Sequence, residues 1–297
     1  MTTKPTYQVL LYYQYVRIED PNTFAAEHWQ LCRKLDLKGR ILVAPEGING
    51  TVSGTVAQTE AYMAHMHQDE RFADMVFKVD PHDGHAFPKI AVKPKKELVT
   101  FRVEKELDPN KRSGKRLSPQ EFFEAMQRED VIIVDGRNDY EYDLGHFRHA
   151  IRPDVRSFRE FPDWIRDHLS SYKDKTILTY CTGGIRCEKL TAFMLEEGFQ
   201  DVAQLEGGIV TYGQDEQVRG RGFDGKCFVF DERLSVPINR EEEVVVGTCH
   251  HCGTATENLH NCNDPRCHQL HLCCSDCLEQ HQGYCSPACR DHHAAVS

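Results

Sequence analysis

Residues 176–189 read TILTYCTGGIRCEK, and this stretch decides the class of fold. The apolar run Thr176–Tyr180 is typical of a buried strand, and a helix is predicted over Cys187–Glu197 after a loop with two glycines. Ligands of parallel α/β sheets bind beyond the carboxyl ends of the strands. The pattern therefore predicts an α/β domain with a functional loop directly after this strand.

The loop Cys181–Arg186 is predicted to hold a reactive cysteine. Its successive N–H groups are expected to point toward one spot, because glycines permit backbone conformations that a Cβ would forbid. Together with the helix dipole and the Arg186 guanidinium, these donors favour thiolate over thiol. Cys181 and Arg186 are therefore the candidate catalytic residues. The supporting loop residues are Thr182, Gly183, Gly184 and Ile185. The alternative is a buried structural cysteine beside a glycine turn.

Three nearby residues have two interpretations each. Asp135 and Arg137 follow the apolar run that ends at Val134, where they form either a structural ion pair or a support for the site. Cys187 opens the helix behind the loop. It is either a resolving thiol for an oxidised or persulfidated Cys181 or a small residue packed in the core.

The segments on both sides of this loop are also predicted to alternate between strands and helices. Strands are predicted at Val131–Asp135 and Val202–Leu205, and helices near Asp139–Asp143 and over Phe158–Leu169. Near-continuous apolar strands separated by helices indicate a doubly wound parallel sheet that is covered on both faces. This domain is predicted to span residues 117–218.

A separate α+β domain is predicted over residues 1–95. Its strands are expected at Val9–Tyr13, at Arg40–Ala44 and Ile48–Ser53, which form a hairpin, and at Met75–Val79. Two helical segments complete the order βαββαβ. This order is that of a ferredoxin-like, or acylphosphatase-like, sandwich.

Two connecting segments, 96–116 and 219–246, are predicted to join the domains. Between Lys89 and Arg116 there are ten Lys/Arg and four acidic residues. One interpretation of this basic stretch is a solvated connector, and the other is a surface that binds tRNA. The candidate tRNA-binding residues are Lys89, Lys93, Lys95 and Lys96.

The segment 247–297 is predicted to bind metal. Nine of the thirteen cysteines lie between Cys249 and Cys289, in close pairs. Because tetrahedral zinc takes four thiolates, we predict two structural zinc sites whose metal supplies folding energy. The predicted ligands are Cys249, Cys252, Cys262, Cys267, Cys274, Cys277, Cys285 and Cys289. Cys273 is left over or replaces Cys274. Iron–sulfur ligation and redox-active cysteines are the alternatives, and ligation by histidines 250, 251, 260, 268 and 271 stays open, as does the ligand pairing.

Charge and hydropathy limit the class of protein. The formal net charge of −10 over 297 residues argues against a protein that coats nucleic acid non-specifically, although it permits a local basic patch. The apolar runs are too short to span a bilayer, and the first residues lack the apolar core of a signal peptide. The sequence therefore predicts a cytoplasmic protein without a membrane partner, and it leaves the oligomeric state open.

The α/β domain resembles the rhodanese superfamily. The matching motifs are VDGR at 134–137, EY at 141–142 with GH at 145–146, the loop 181–186, and LEGG at 205–208. The resemblance implies that Cys181 carries a persulfide or attacks a substrate. The six residues from Cys181 to Arg186 are typical of sulfur transfer, because the related phosphatases have a loop that is one residue longer.

Nearly the whole chain resembles the bacterial rhodanese-domain tRNA uridine(34) hydroxylases (TrhO type). The motif EGINGT at 46–51, the stretch YCTGGIRCEK at 180–189 and the cysteine-rich tail carry this resemblance. It implies oxygen-dependent hydroxylation of the wobble uridine at ring carbon 5, in the anticodon loop of tRNA. O2 is then a co-substrate, and a reductant of unidentified nature is required.

Two other functions are compatible with the sequence. The first is a persulfide sulfurtransferase that acts on a thiol or a tRNA acceptor. The second is a non-catalytic RNA-binding module, against which the intact Cys181 and Arg186 argue. The sequence contains no Rossmann glycine fingerprint and no evident set of two histidines and one carboxylate. It therefore does not indicate how oxygen would be activated.

Overall fold

The computed structural model describes residues 6–103, 107–267 and 269–296. An N-terminal α+β sheet is followed by a central parallel sheet and by a small cysteine-rich segment. This architecture confirms the predicted fold class, whereas the boundaries between the domains stay a prediction. Within the described ranges, no helix has the length and apolar character needed to cross a bilayer.

The N-terminal sheet has a ferredoxin-like order. Its strands are β1 (Tyr7–Tyr15), β2 (Lys38–Ala44), β3 (Gly47–Thr55), β4 (Lys78–His82) and β5 (Ile90–Pro94). Across the sheet they follow the order β4-β1-β3-β2-β5, and β2 and β3 form the predicted antiparallel hairpin. Helices α1 (Pro21–Lys34) and α2 (Val56–His67) pack on one face, where Tyr62 of α2 shares a core with Tyr12 and Ile41 of the sheet.

Two strands of this sheet differ from the prediction. The fourth strand begins at Lys78 rather than at Met75. Met75 is buried all the same, because its N–H donates to the carbonyl of Phe72 in a turn that packs against the core. The fifth strand, β5, was not predicted, and it pairs parallel with β2 at the edge of the sheet.

The predicted connector 96–116 is partly folded. Leu98 and Phe101 are buried in the hydrophobic clusters of the protein, and the segment ends in β6 (Lys115–Leu117), a strand of the central sheet. The segment was predicted to be a connector because charged residues dominate its composition. Its few apolar residues are nevertheless buried and hold the chain between the two sheets. Lys105 of the basic stretch lies outside the described residues.

The central sheet is parallel and covered on both faces, as predicted. Besides β6 it contains β7 (Val131–Asp135), β9 (Thr176–Tyr180) and β10 (Asp201–Leu205), in the order β6-β10-β9-β7. The surrounding helices are α3 (Pro119–Met126), α4 (Asp139–Leu144), α5 (Phe161–His168), α6 (Ile185–Glu196) and α7 (Gly208–Gln214). Side chains of α3 and α7 join the core on one face, and those of α5 and α6 join it on the other.

The predicted linker 219–246 is also partly folded and packs against the central domain. It contains β11 (Phe223–Phe228) and β12 (Ser235–Pro237), and β11 pairs with β8 (Gly145–Phe147) of the central domain. Phe223 and Cys227 are fully buried. The segment lacks a clear hydrophobic period because its strands are short and its apolar residues are few.

The C-terminal segment has little apolar core of its own. It consists of a hairpin, β13 (Leu259–Asn261) and β14 (Leu270–Leu272), and of the helices α8 (Ser275–Gln280) and α9 (Pro287–Val296). Its central buried cluster is made of cysteines, while Leu272 packs against Leu144 and Phe228 of the preceding domain. Such a segment requires another source of folding energy than hydrophobic burial.

Candidate active site

Cys181 lies where sequence analysis placed it, directly after β9 and before α6. Its side chain is fully buried, and the backbone N–H of Gly184 donates to the Cys181 sulfur at 3.2 Å. Gly184 has φ +101°, in the region that favours glycine, so the loop curls back over the sulfur. Of the N–H groups that were predicted to point inward, that of Gly184 donates to the sulfur.

The environment of Cys181 stabilises the thiolate. Burial by itself would raise the pKa of this thiol, but hydrogen bonds from Cys187 and Gly184 and the positive charge of Arg186 outweigh burial and lower the pKa to about 6. Cys187 has the opposite shift, because burial and the adjacent Cys181 raise its pKa well above the usual range. Cys187 is therefore a thiol that donates to the Cys181 thiolate.

The start of α7 holds the loop from behind. The N–H groups of Ile209 and Val210 donate to the carbonyls of Cys181 and Thr182 at 3.0 and 3.1 Å. A Cβ on Gly208 would lie 2.5 Å from the Cys181 carbonyl oxygen, so only glycine permits this approach. Gly208 of the LEGG motif thus permits the close approach of α7 to the cysteine loop.

Arg186 is held by a carboxylate rather than left free for a ligand. Its guanidinium donates to both oxygens of Glu141 at 2.6 and 2.8 Å and to the Thr182 hydroxyl at 3.1 Å. Glu141 is fully buried, and although burial opposes its charge, Arg186 keeps its pKa below the ordinary value. Glu141 is a site residue that sequence reasoning quoted only as part of a motif.

The free face of the N-terminal sheet closes over the cysteine loop. A cleft of about 270 Å³ lies between them and contains Cys181. Its other polar or aromatic lining residues include Tyr13, Arg40, Asn49, Thr51, Arg186 and Phe230. A Cβ on Gly183 would lie 3.0 Å from Leu11 of β1, and one on Gly184 would lie 2.9 Å from the Tyr13 hydroxyl. The glycine pair therefore also accommodates the close packing of the other sheet.

Charges in the first turns of α6 tie the two sheets together. Glu188 accepts hydrogen bonds from the Arg116 guanidinium and, at 3.0 Å, from the Tyr13 hydroxyl. Lys189 forms ion pairs with Glu46 at 2.8 Å and with Glu97 at 2.9 Å. Glu46 opens the EGINGT motif, so this ion pair connects the two motifs that carry the resemblance.

Two further side chains at the site were missed by sequence analysis. Lys78 is 7% exposed with Nζ 5.2 Å from the centroid of the Tyr13 ring. Burial lowers the pKa of Lys78 to about 8, although the negative charge of Cys181 opposes that shift. Phe230 is 53% exposed, and its ring lies 5.8 Å from the Arg186 guanidinium carbon. It lies in the segment that was predicted to be a linker.

The remaining predicted residues occupy different positions. Thr182, Gly183 and Ile185 line the cleft, whereas Asp135 and Arg137 are not among its lining residues. These two form a fully buried ion pair, and Arg137 also donates to the carbonyl of Gly145. The structure favours the interpretation of a structural pair. Of the candidate tRNA contacts, Lys89, Lys93, Lys95 and Lys96 are all exposed beside β5.

The cysteine-rich segment brings its thiols together in two groups of four. Within each group the sulfur atoms lie within 4.8 Å of one another. The first group contains Cys249, Cys252, Cys274 and Cys277, and the second contains Cys262, Cys267, Cys285 and Cys289. All eight predicted ligands are present, and each group has the donor set of a tetrahedral metal site. His268 lies outside the described residues.

Three family models match successive parts of the chain. The UPF0176 acylphosphatase-like domain matches residues 7–98, the rhodanese-like domain matches 118–215, and the rhodanese C-terminal model matches 224–290. The first agrees with the ferredoxin-like sheet and the second with the sheet that carries Cys181. The third begins inside the predicted linker, at β11.

Full-length relatives agree with these matches. The tRNA uridine(34) hydroxylase of Bacillus licheniformis is 56% identical over 289 residues, which are 97% of this chain and 90% of the relative. The proteins of that name from Oceanobacillus iheyensis and Bacillus cytotoxicus are 54% and 55% identical over 98% of this chain and 90% of each relative. Since both the identity and the coverage are high, the chain belongs to the tRNA uridine(34) hydroxylase family.

Proposed function

We propose that this protein is an enzyme that hydroxylates uridine 34 of tRNA at ring carbon 5, with Cys181 as its reactive group. The observation that carries the proposal is the identity of 54–56% over nearly the full length to proteins named tRNA uridine(34) hydroxylase. The geometry of the loop supports it, because a buried thiolate faces a cleft between two sheets.

The reaction requires an oxidant and a reductant from outside the chain. One atom of O2 replaces the hydrogen on C5 as a hydroxyl group, and the other leaves as water after taking up two electrons and two protons. The thiolate of Cys181 is the nucleophile that the site offers to an electron-poor pyrimidine ring. Lys78 is the candidate general acid or base, because its pKa is lowered to about 8 and so lies close to neutral pH.

The cleft provides groups that suit a splayed-out base. Single-stranded loops expose bases that proteins stack on aromatic or guanidinium planes and bind through polar edges. Phe230 offers an exposed ring, and Arg40 and Asn49 offer polar groups in the same cleft. We therefore assign the anticodon loop of tRNA to this cleft, with its phosphates along the exposed lysines beside β5. A cytoplasmic location follows from this substrate.

The two groups of four thiols are assigned to structural zinc. Each supplies four cysteine sulfurs, the commonest donor set of structural zinc sites, and the surrounding segment has little hydrophobic core. Bound zinc would supply folding energy to the C-terminal segment. We retain the division into domains at 1–95, 117–218 and 247–297, joined by segments that are themselves partly folded.

The test is mass spectrometry of tRNA nucleosides from a strain whose only copy of this gene encodes Cys181→Ser. We expect 5-hydroxyuridine derivatives at position 34 to be lost, because a serine hydroxyl stays protonated at neutral pH. The matched control is Cys187→Ser, which leaves the thiolate in place and should retain most of the modification. Unchanged levels in the Cys181→Ser strain would contradict the catalytic assignment.

A persulfide sulfurtransferase is the second candidate function. The six-residue loop between Cys181 and Arg186 and the match to the rhodanese-like domain favour it. The same mass spectra separate the two functions, since hydroxylation adds one oxygen atom to uridine and thiolation exchanges an oxygen for a sulfur. Growth under ¹⁸O2 provides a second readout, because only the hydroxylase transfers this label to C5.

A further inference from the structure

A third group of metal-ligating side chains lies beside the two groups of four thiols. It consists of His251, His271 and Cys273, whose ligand atoms lie within 4.8 Å of one another. His271 and Cys273 are 5% and 1% exposed. Cys273 is the ninth cysteine of the segment and belongs to neither group of four thiols. The group is therefore compact and mostly buried, with His251 partly exposed, and it shares no residue with the two groups of four thiols.

The unpaired nitrogens of this group point to a missing ligand. Nε2 of His251 and Nε2 of His271 are both buried, and neither has a hydrogen-bond partner in the described chain. Leaving such an atom unpaired is unfavourable, because it has given up its hydrogen bond to water without replacing it. Two orphaned imidazole nitrogens beside one buried thiol form a set whose shared partner would be a metal ion.

The other nitrogen of each ring fits this arrangement. Nδ1 of His271 lies 3.3 Å from the carbonyl oxygen of Gln269, and His251 hydrogen-bonds to the backbone of Tyr284. When a histidine donates its Nδ1 proton to a carbonyl, Nε2 keeps its lone pair free, and metal-binding histidines are usually held in this way. Both rings are thus oriented as ligands.

We propose that His251, His271 and Cys273 bind a third divalent transition-metal ion of the zinc class. Two imidazoles and one thiolate suit zinc and its neighbours, and a three-ligand site keeps one coordination position for water or a small ligand. His271 also lines a cleft of about 720 Å³ between α4 and the C-terminal segment, which gives solvent a route to the ion. The site differs in this respect from the two closed four-thiolate sites.

The neighbouring charges favour this third ion. Cys273 packs against Cys249 of the first four-thiol group. A divalent ion on four thiolates has a formal charge of minus two, whereas one on a single thiolate and two neutral imidazoles has plus one. Opposite net charges at short range attract, so filling the first site supports filling of the third.

The number of bound metal ions tests the proposal. Full-length protein is dialysed to equilibrium against zinc, and the bound zinc is measured by elemental analysis. We expect three ions per chain in the wild type and two in His271→Ala and in Cys273→Ser. The matched control is His260→Ala, because the ring of His260 lies 5.9 Å from that of His271 but does not belong to the group. Two ions in the wild type, or three in both variants, would overturn the third site.

A second measurement avoids the variants, in case they fail to fold. In wild-type protein loaded with ¹¹³Cd, the NMR shift of each cadmium reports how many sulfur atoms bind it. We expect two resonances in the region of four-thiolate sites and a third in the region of mixed nitrogen and sulfur ligation. A spectrum with only the two thiolate resonances would refute the proposal.

Discussion

At Cys181, burial and local polar groups act on the thiol in opposite directions. The fully buried sulfur would ordinarily stay protonated, yet the Gly184 N–H, the Cys187 thiol and the Arg186 charge favour the thiolate. At two other buried cysteines the effect of burial prevails, and it raises the pKa of Cys32 and of Cys227 to about 12. Of these three cysteines, only Cys181 is thus favoured as a thiolate near neutral pH.

The pH dependence of alkylation follows from this difference. Because the pKa of Cys181 is lowered to about 6, its thiolate is present above that pH and is lost as the pH falls through it. We expect the rate of iodoacetamide labelling at Cys181 to rise with an inflection near this value, well below the ordinary thiol pKa of about 8.5. Peptide mass spectrometry after labelling across pH 5–9, roughly bracketing both values, measures the inflection.

Two controls accompany the titration. Cys227 of the same molecule should stay unlabelled over the whole range, because its pKa is raised to about 12. Arg186→Gln removes the positive charge and should move the inflection of Cys181 to higher pH. An inflection that stays in place in Arg186→Gln would show that the guanidinium does not stabilise the thiolate.

At the level of elements, helix α6 does more than follow the cysteine loop. Its first turns bury three charged side chains, Arg186, Glu188 and Lys189, which a helix in a protein core would normally exclude. Each is neutralised by a partner from a different segment: Glu141, Arg116 and the Glu46–Glu97 pair, respectively. The helix therefore fixes α4, β6 and the hairpin β2–β3 around the sulfur of Cys181.

Replacing Lys189 with methionine should weaken this assembly. Lys189 is 3% exposed, and its loss leaves Glu46 and Glu97 side by side without a counter-charge. Removing one partner of a buried ion pair costs about 3–5 kcal/mol, and we expect the lower end because both carboxylates are partly exposed. Urea unfolding measures the loss in the free energy of unfolding.

The matched control for this variant is Lys175→Met. Lys175 is exposed and has no ion pair within the described part of the chain, so its replacement should change stability by less than about 0.5 kcal/mol. Equal losses in the two variants would mean that the Glu46–Lys189–Glu97 group contributes nothing specific.

For the whole molecule, the distribution of exposed positive charge bears on the proposed tRNA surface. The protein is acidic, with a formal net charge of −10, yet Lys93, Lys95 and Lys96 form an exposed basic group beside β5, close to the hairpin that lines the cleft. Other basic residues of the stretch are already paired, as Arg112 is with Glu196 and Arg116 is with Glu188. The surface available to phosphates is therefore smaller than the sequence count suggested.

Charge reversal of these three lysines should weaken tRNA binding. Each lost phosphate contact lowers the slope of log K against log salt concentration by about 0.7–0.9, so Lys93→Glu, Lys95→Glu and Lys96→Glu together should reduce it by about 2–3. Binding isotherms at several salt concentrations measure both the affinity and the slope. Thermal stability should change little, because the three side chains are exposed.

The control changes the net charge by the same amount elsewhere. Lys34, Arg159 and Lys175 are exposed and lie outside residues 89–116, and their combined reversal to glutamate should leave the salt slope nearly unchanged. If both triple variants lose the same affinity and slope, the basic group beside β5 is no binding surface and only the net charge matters.

The sequence alone determined those features that depend on residues close together in the chain, namely the longer strands, the cysteine loop and the cysteine pairs. Hydrophobic runs predicted β7, β9 and β10, the glycine loop identified Cys181, and the cysteine pairs identified the eight thiols that lie in two groups of four. It failed where short apolar segments lie among polar residues, as in β5 and β11. The hydrophobic period is detectable only when an element is long enough to repeat it.

The tertiary structure decided which distant residues meet. Arg186 and Glu141 are separated by 45 positions, Glu188 and Tyr13 by 175, and the pairing of the cysteines depends on how a hairpin and two helices fold together. It also separated Asp135 and Arg137 from the cleft, brought Phe230 to it and placed Lys78 against the Tyr13 ring that lines it. The pattern of residues along a segment indicates its local conformation. The distant partner of a side chain is instead set by how whole sheets and helices pack, and the spacing of residues within one segment carries no information about that packing.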